Sequence, residues 1–324
     1  MRLRRIWFGT RLLIGNYTFS GDREPRPALI TTANGAQFEL YEPKQKVRKT
    51  ILLNYGVSTM GEEDPRLIRL VRSCTATGLR VAVPILHGLK TLQLELSDLA
   101  DVRDCIEYLL ASYPEPFGII AFSTGGSFAL TLSTEPKFAK QISIIALFSP
   151  IYDLRATWHY IDALAHKPII NAEDDNEVWL QYITAYRNYK LLGYTEAERD
   201  MIMDHLRRYT HGLSAEEKNS FFQNVLVKHP LNGQILHMEE EVFDALSPCG
   251  KLVQSHARVV VIHDANDFLV PPEHAQALAQ ELSQRTPPNN RLLITPVLSH
   301  VTIEHLEYIR DIFHMIDILG ELFT

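Results

Sequence analysis

The residues best placed to do chemistry in this 324-residue chain surround one serine at the end of an apolar run. In FGIIAFSTGGSFAL, Phe117 to Phe122 read as a buried strand, Ser123 follows directly, and Thr124, Gly125 and Gly126 lead into a helical run. A strand that turns so sharply into a helix needs small residues two positions before and two after the serine, so that the backbones can pass closely. Ala121 and Gly125 meet that demand. A serine hydroxyl is a poor nucleophile at neutral pH, so it needs a base, and the base needs an orienting carboxylate. Thirteen histidines make any single one weak as a signal. His300 stands apart because it falls in a loop after the strand-like RLLITPVLS, whereas His305 and His314 fall inside the expected last helix. Asp264 and Asp267 share the loop after VVVIH, and Asp153 follows the strand ISIIALF.

These residues require a scaffold that brings strand ends together. Hydrophobic residues make up 46% and charged ones 22%, the usage of a soluble globular protein. The length allows two domains or one α/β domain with an insertion. ALITTA and AQFELYEP flank Asn34-Gly35, which predicts an antiparallel pair joined by a two-residue turn with positive φ at both centres. TILLNYG then reads as a strand buried on both faces. Asp64-Pro65 opens the helix PRLIRLVRSCTATG, LRVAVPI is a strand, and Ser97 is the expected cap of DLADVRDCIEYLLASY. Strands alternating with helices through short loops predict a mostly parallel sheet covered on both sides. The alternation stops near Ile151, gives way to amphipathic helical runs up to about Val253, and resumes with ARVVVIHD, PPEHAQALAQELSQR, RLLITPVLS and a last helix from Val301. The expected organisation is therefore an arm over 1–26, a body over 27–154 and 254–324, and a helical cap over 155–253.

Composition also removes several classes. The 39 acidic and 32 basic residues give a net charge of −7, without the basic face that a nucleic-acid binder needs. Cys74, Cys105 and Cys249 form no CxxC pair, which fits a reducing, cytoplasmic setting without a zinc site or disulfide framework. Arg2, Arg4 and Arg5 precede apolar residues, but Arg11 interrupts the run and no cleavage pattern follows, so the arm is expected to pack on the body. No apolar run approaches a bilayer span, so no stable membrane insertion is expected. His263-Asp264 does not supply the three or four ligands of a metal site, His87-Gly88 reads as loop, and no phosphate-binding glycine pattern is present.

The elbow Ala121-Phe122-Ser123-Thr124-Gly125 resembles the Gly-x-Ser-x-Gly nucleophile turn of the α/β-hydrolase superfamily, with alanine for the first glycine. The resemblance extends from Pro27 to the C-terminus. It implies Ser123 as nucleophile and His300 as base. It implies Asp267 as acid, since Asp267 precedes Val270-Pro271 as the superfamily's acid does. Asp153 occupies the position some members use instead. The resemblance further implies an oxyanion hole from the amides of Val57, after Gly56, and Thr124. The activity expected is hydrolysis of a carboxylic ester or related small acyl substrate through an acyl-enzyme, with neither cofactor nor metal. An acyltransferase or a non-catalytic binding protein of the same fold remains the alternative. Cap aromatics, among them Trp158, Tyr160, Trp179, Tyr182, Tyr186, Phe221 and Phe222, either line an acyl pocket or form the cap's own core.

Overall fold

In the computed structural model, which describes residues 6–11, 26–165, 175–190, 192–209, 213–224, 239–286 and 289–323, the sheet opens with a hairpin. Strands β1 (Ala28–Thr31) and β2 (Gln37–Tyr41) pair antiparallel, Ala28 opposite Leu40. The turn differs from the two-residue form expected. Thr32 N donates to Ala36 O at 2.8 Å, Gly35 N donates to Thr32 O at 3.1 Å, and Gly35 alone in the turn has positive φ. A three-residue loop with glycine in the left-handed position results. Strand alternation then puts Ala36, Phe38 and Leu40 together on the buried face.

Six further strands complete the sheet: β3 (Lys49–Asn54), β4 (Leu79–Pro84), β5 (Phe117–Phe122), β6 (Ile142–Phe148), β7 (Arg258–Asp264) and β8 (Asn290–Thr295). Their order is β1-β2-β4-β3-β5-β6-β7-β8. Only the β1–β2 and β2–β4 pairings are antiparallel; the rest are parallel. β3 and β4 are buried at every residue, which explains why their sequences lack alternation. Helices α1 (Pro65–Ala76), α2 (His87–Lys90), α3 (Leu96–Ser112) and α4 (Thr124–Ser133) follow these strands in turn. Asp64 caps α1 as expected, accepting from Arg66 N. Ser97 is not a cap: its hydroxyl donates to Glu95, while the neighbouring Asp98 accepts from the amides of Gly88 and Leu89 at the start of α2. Burial raises the Asp98 carboxyl to about 6 even though those two amides oppose the shift.

Between β6 and β7 the described residues form helices α5 (Leu154–Ala165), α6 (Asp175–Arg187), α7 (Glu196–Tyr209), α8 (Ala215–Asn224) and α9 (Glu240–Leu246). Trp158, Phe243 and Leu246 belong to the main core. Tyr182, Ala185, Ile202, Met203 and Leu206 on α6 and α7 form a second, smaller core with Leu92. His205 sits in that core, its ring stacked on Phe221 at 4.0 Å between centroids. Burial, reinforced by Arg208, lowers its pKa to about 4. The unfolded chain therefore binds a proton near pH 6.5 that the folded chain refuses until about pH 4. Stability supplied by the neutral ring is complete above 6.5 and is lost as pH falls towards 4. His205→Phe should consequently gain stability relative to wild type between pH 7 and pH 4, read as a widening difference in melting temperature. A constant difference across that range would remove His205 from the acid response.

After β7 come α10 (Glu273–Ser283), β8, the short strands β9 (Leu298–Ser299) and β10 (Thr302–Ile303), and α11 (Ile309–Leu319). The last helix begins eight residues later than the sequence pattern suggests, so His305 lies outside it and His314 within. The chain first doubles back through the β9–β10 turn, where the amides of Glu304 and His305 both donate to Val297 O. Residues 6–11 form a helical turn, with Gly9 against the backbone of Ile316 on α11. No described helix is long and apolar enough to cross a membrane. All three cysteines are free, and burial raises the thiols of Cys74 and Cys105 to about 12.

Candidate active site

Ser123 lies between the end of β5 and the start of α4 with φ +47° and ψ −122°. No ordinary residue occupies that region without strain of about 1–3 kcal/mol, so the surroundings must hold it there. They do so by hydrogen bonds and by crowding. Ser123 N donates to Phe148 O at 2.9 Å, and Gly126 N donates to Ser123 O at 2.9 Å. Asn54 at the end of β3 donates from Nδ2 to Gly125 O at 3.0 Å. A β-carbon on Gly125 would lie 2.4 Å from Tyr55 O and 2.6 Å from Asn54 O, both rigid main-chain atoms. Gly125→Ala should therefore destabilise the fold by about 3 kcal/mol or more, measured by denaturant unfolding. A loss below about 1 kcal/mol would mean that the β3 loop can retreat from the elbow. The position two before the serine tolerates alanine, and Ala121 is fully buried there.

The loop after β3 brings Gly56 and Val57 against the same turn. A β-carbon on Gly56 would stand 2.9 Å from Ser123 Cβ, so only glycine lets this loop reach the serine. Val57 and Thr124 both line the cavity beside Ser123. Neither main-chain amide donates to another described residue. Thr124 N–H is one of the orphan donors at the start of α4.

His300 occupies the β9–β10 turn with φ +51°. Three contacts fix it. Its amide donates to Asp264 Oδ2 at 2.8 Å, its carbonyl accepts from Ser149 Oγ at 2.7 Å, and Nδ1 lies 2.7 Å from Asp267 Oδ2. The second oxygen of Asp267 accepts from the amides of Leu269 and Val270, both at 2.9 Å. Burial works to raise the Asp267 carboxyl, but the His300 charge, its hydrogen bond and the Val270 amide outweigh it, and the group sits below the usual carboxylate range. An ionised Asp267 accepts only, so Nδ1 of His300 is the donor, and in the neutral ring the lone pair is then on Nε2. His263 lies on the other side of Asp267, 3.6 Å away, with Nε2 donating to Val270 O. Burial lowers its pKa and keeps it neutral.

The other acid considered, Asp153, is elsewhere: its carboxylate accepts from Ala156 N and caps α5. The sequence does not mark Asp264 or Ser149 as positioning residues. Their signal, a polar residue just at or beyond the end of an apolar strand, is too common to read alone.

Ser123 and His300 line one cavity of about 1000 Å³, with Phe122, Phe148, Ile151 and Leu269 beside them. Of the aromatics between β6 and β7, Trp158 lines it. Tyr182 is fully buried in the smaller core, and Tyr186 and Phe221 pack on that core. Tyr160 is half-buried, its hydroxyl pKa raised by burial and by the Asp267 carboxylate. The side chains of Trp179 and Phe222 lie outside those described. Among the described residues, no group of three or more His, Cys, Asp or Glu could hold a metal ion.

An eight-stranded sheet with this order, a strained serine between β5 and the next helix, and a histidine loop after β8 define an α/β-hydrolase fold. No family model and no curated protein sequence matches the chain. Solved structures do. An esterase of Pyrococcus furiosus superposes with a TM-score of 0.54 at 16% identity, covering 94% of this chain and 95% of that one. An alpha/beta hydrolase superfamily protein of Enterococcus faecalis gives 0.53 at 11% identity, with 92% and 98% covered. A puromycin-hydrolyzing peptidase of Mycobacterium tuberculosis gives 0.54 at 14%, with 92% of this chain but 39% of that chain covered. The chain thus spans about two fifths of the peptidases it matches. At these identities the likeness establishes the fold.

Proposed function

We propose that the protein is a serine hydrolase acting on carboxylic esters through an acyl-enzyme. The observation that supports this most directly is the 2.7 Å contact of Asp267 with His300 Nδ1 on the wall of the cavity that also exposes the strained Ser123. In this reading His300 Nε2 takes the Ser123 proton as the hydroxyl attacks the substrate carbonyl, while Asp267 stabilises the imidazolium that forms. The free amides of Val57 and Thr124 receive the oxyanion, and because they are main-chain donors fixed by the elbow they need no reorganisation. His300 then returns the proton to the leaving alcohol and activates the water that hydrolyses the acyl-enzyme. The helices over 155–253 act as a cap that shields this site, and the three free cysteines fit a cytoplasmic setting.

An esterase and a peptidase both occur among the structurally similar proteins. An ester is favoured because apolar side chains, the stacked Phe122 and Phe148 with Ile151 and Leu269, line the cavity that holds the serine. The test is labelling by a fluorescent serine-directed phosphonate together with turnover of an ester panel of increasing acyl length. Labelling at Ser123 with turnover supports hydrolysis. Labelling with turnover only when an alcohol or thiol acceptor is added indicates the acyltransferase alternative. A folded protein that is neither labelled nor active is a binding protein of this fold.

A further inference from the structure

Arg187 closes α6 and lines the same cavity as Ser123. Its guanidinium carbon lies over the Trp158 ring, 4.4 Å from the centroid, and Trp158 is itself buried. Among the described residues that stacking is its one recorded partner: no ion pair or hydrogen bond is made by the guanidinium, and no acidic side chain offsets its burial. The pKa falls to about 10 through burial, which still leaves the group charged at neutral pH. Arg66 and Arg69 also line the cavity, and neither guanidinium lies over a described aromatic ring as that of Arg187 does. Arg66 is held by Asp64 at 2.7 Å and donates to Thr302. A half-buried arginine without a counter-ion is unfavourable in the empty site, and a ligand that supplies the counter-charge would relieve that cost.

We propose that the substrate is an ester bearing a carboxylate, bound through Arg187 while its carbonyl lies at Ser123. The proposal takes the position of the carbonyl from the serine-hydrolase reading above. The indole covers one side of the guanidinium, and its N–H donors, which no described residue accepts, suit a two-oxygen acceptor. One guanidinium balances one negative charge, which suits a carboxylate better than a phosphate dianion. Leu180, Ile183 and Ile161 line the same cavity and suit a methylene chain between the two ends. The carboxylate can belong to the acyl group or to the leaving alcohol.

The test compares two anionic series with neutral counterparts of equal length: aryl half-esters of dicarboxylic acids and simple acyl esters of ω-hydroxy acids. For wild type, kcat/KM for one anionic series should exceed that for its neutral counterpart by about tenfold or more. Arg187→Met should reduce the anionic-to-neutral ratio at least tenfold, mainly through KM, and Arg187→Lys should recover part of it. The series showing the effect identifies which end carries the charge. A ratio that is the same in wild type and Arg187→Met overturns the proposal.

Binding separates this outcome from failure of the catalytic reading. Calorimetric titration of Ser123→Ala with monoethyl glutarate and diethyl glutarate, repeated on Ser123→Ala/Arg187→Met, needs no turnover. Loss of about tenfold in affinity for the monoester alone sustains the proposal even if no ester is hydrolysed. Equal affinities in the two variants refute it, and tighter binding of inorganic phosphate than of the monoester refutes the carboxylate assignment.

Discussion

Ser123→Ala is expected to lower kcat for the best ester by about 10⁴- to 10⁶-fold while leaving the fold intact. The size of the loss follows from what remains. Val57 and Thr124 still line the cavity, so in the proposed mechanism binding and oxyanion stabilisation should persist without a nucleophile. Stability should barely change, because alanine inherits the φ +47° conformation and the Phe148 and Gly126 hydrogen bonds involve only the backbone. Ser123→Gly is the informative companion. Glycine adopts that backbone without steric penalty, so this variant should be equally inactive but more stable by about 1 kcal/mol or more. Stopped-flow assays and thermal melts on the three proteins separate the two effects. Ester turnover that survives in Ser123→Ala, or a glycine variant less stable than wild type, would contradict the strained-nucleophile account.

The parts of this site visible in the sequence are those set by local constraints. The elbow is legible because a sharp turn demands small residues at fixed offsets, and Gly125 shows why, with two carbonyl oxygens of the β3 end within 2.6 Å of where a side chain would begin. The strands are legible because burial on both faces removes polar alternation from runs such as Ile51 to Leu53. What the sequence does not display depends on groups far apart in the chain. Asp98 rather than Ser97 is the functional cap because its partners, Gly88 and Leu89, belong to the preceding short helix α2 and not to its own helix. The last helix starts late because Val297 O captures two amides that a helix would have used. The aromatics between β6 and β7 divide between cavity and core by tertiary packing, and a helical period cannot tell Trp158 from Tyr182. Arg187 is similarly silent in sequence, since nothing local shows that it lacks a counter-ion.

Asp267→Asn should cost about 10⁴-fold in kcat, whereas Asp153→Asn should change it little. The asymmetry rests on what each carboxylate holds. Asp267 Oδ2 meets His300 Nδ1, and Oδ1 accepts from two amides. An asparagine cannot satisfy both sides. If its oxygen keeps the Leu269 and Val270 amides, its NH₂ faces His300 and favours the tautomer with the proton on Nε2, the nitrogen that must accept from Ser123. Asp267 also sits below its usual pKa range, so its ionised form adds stability that is present above the unfolded value of 3.8 and is lost as pH falls through the lower folded value. The asparagine variant should lack that acid-sensitive component as well as the activity. Asp153 instead caps α5 through Ala156 N, a role asparagine fills about as well, and Asp153→Ala should cost about 1 kcal/mol of stability. Parallel measurement of kcat and unfolding free energy on these variants assigns each carboxylate to chemistry or to folding. Activity lost in Asp153→Asn and kept in Asp267→Asn would reverse the assignment, and His300 would then have to leave its turn to find the other acid.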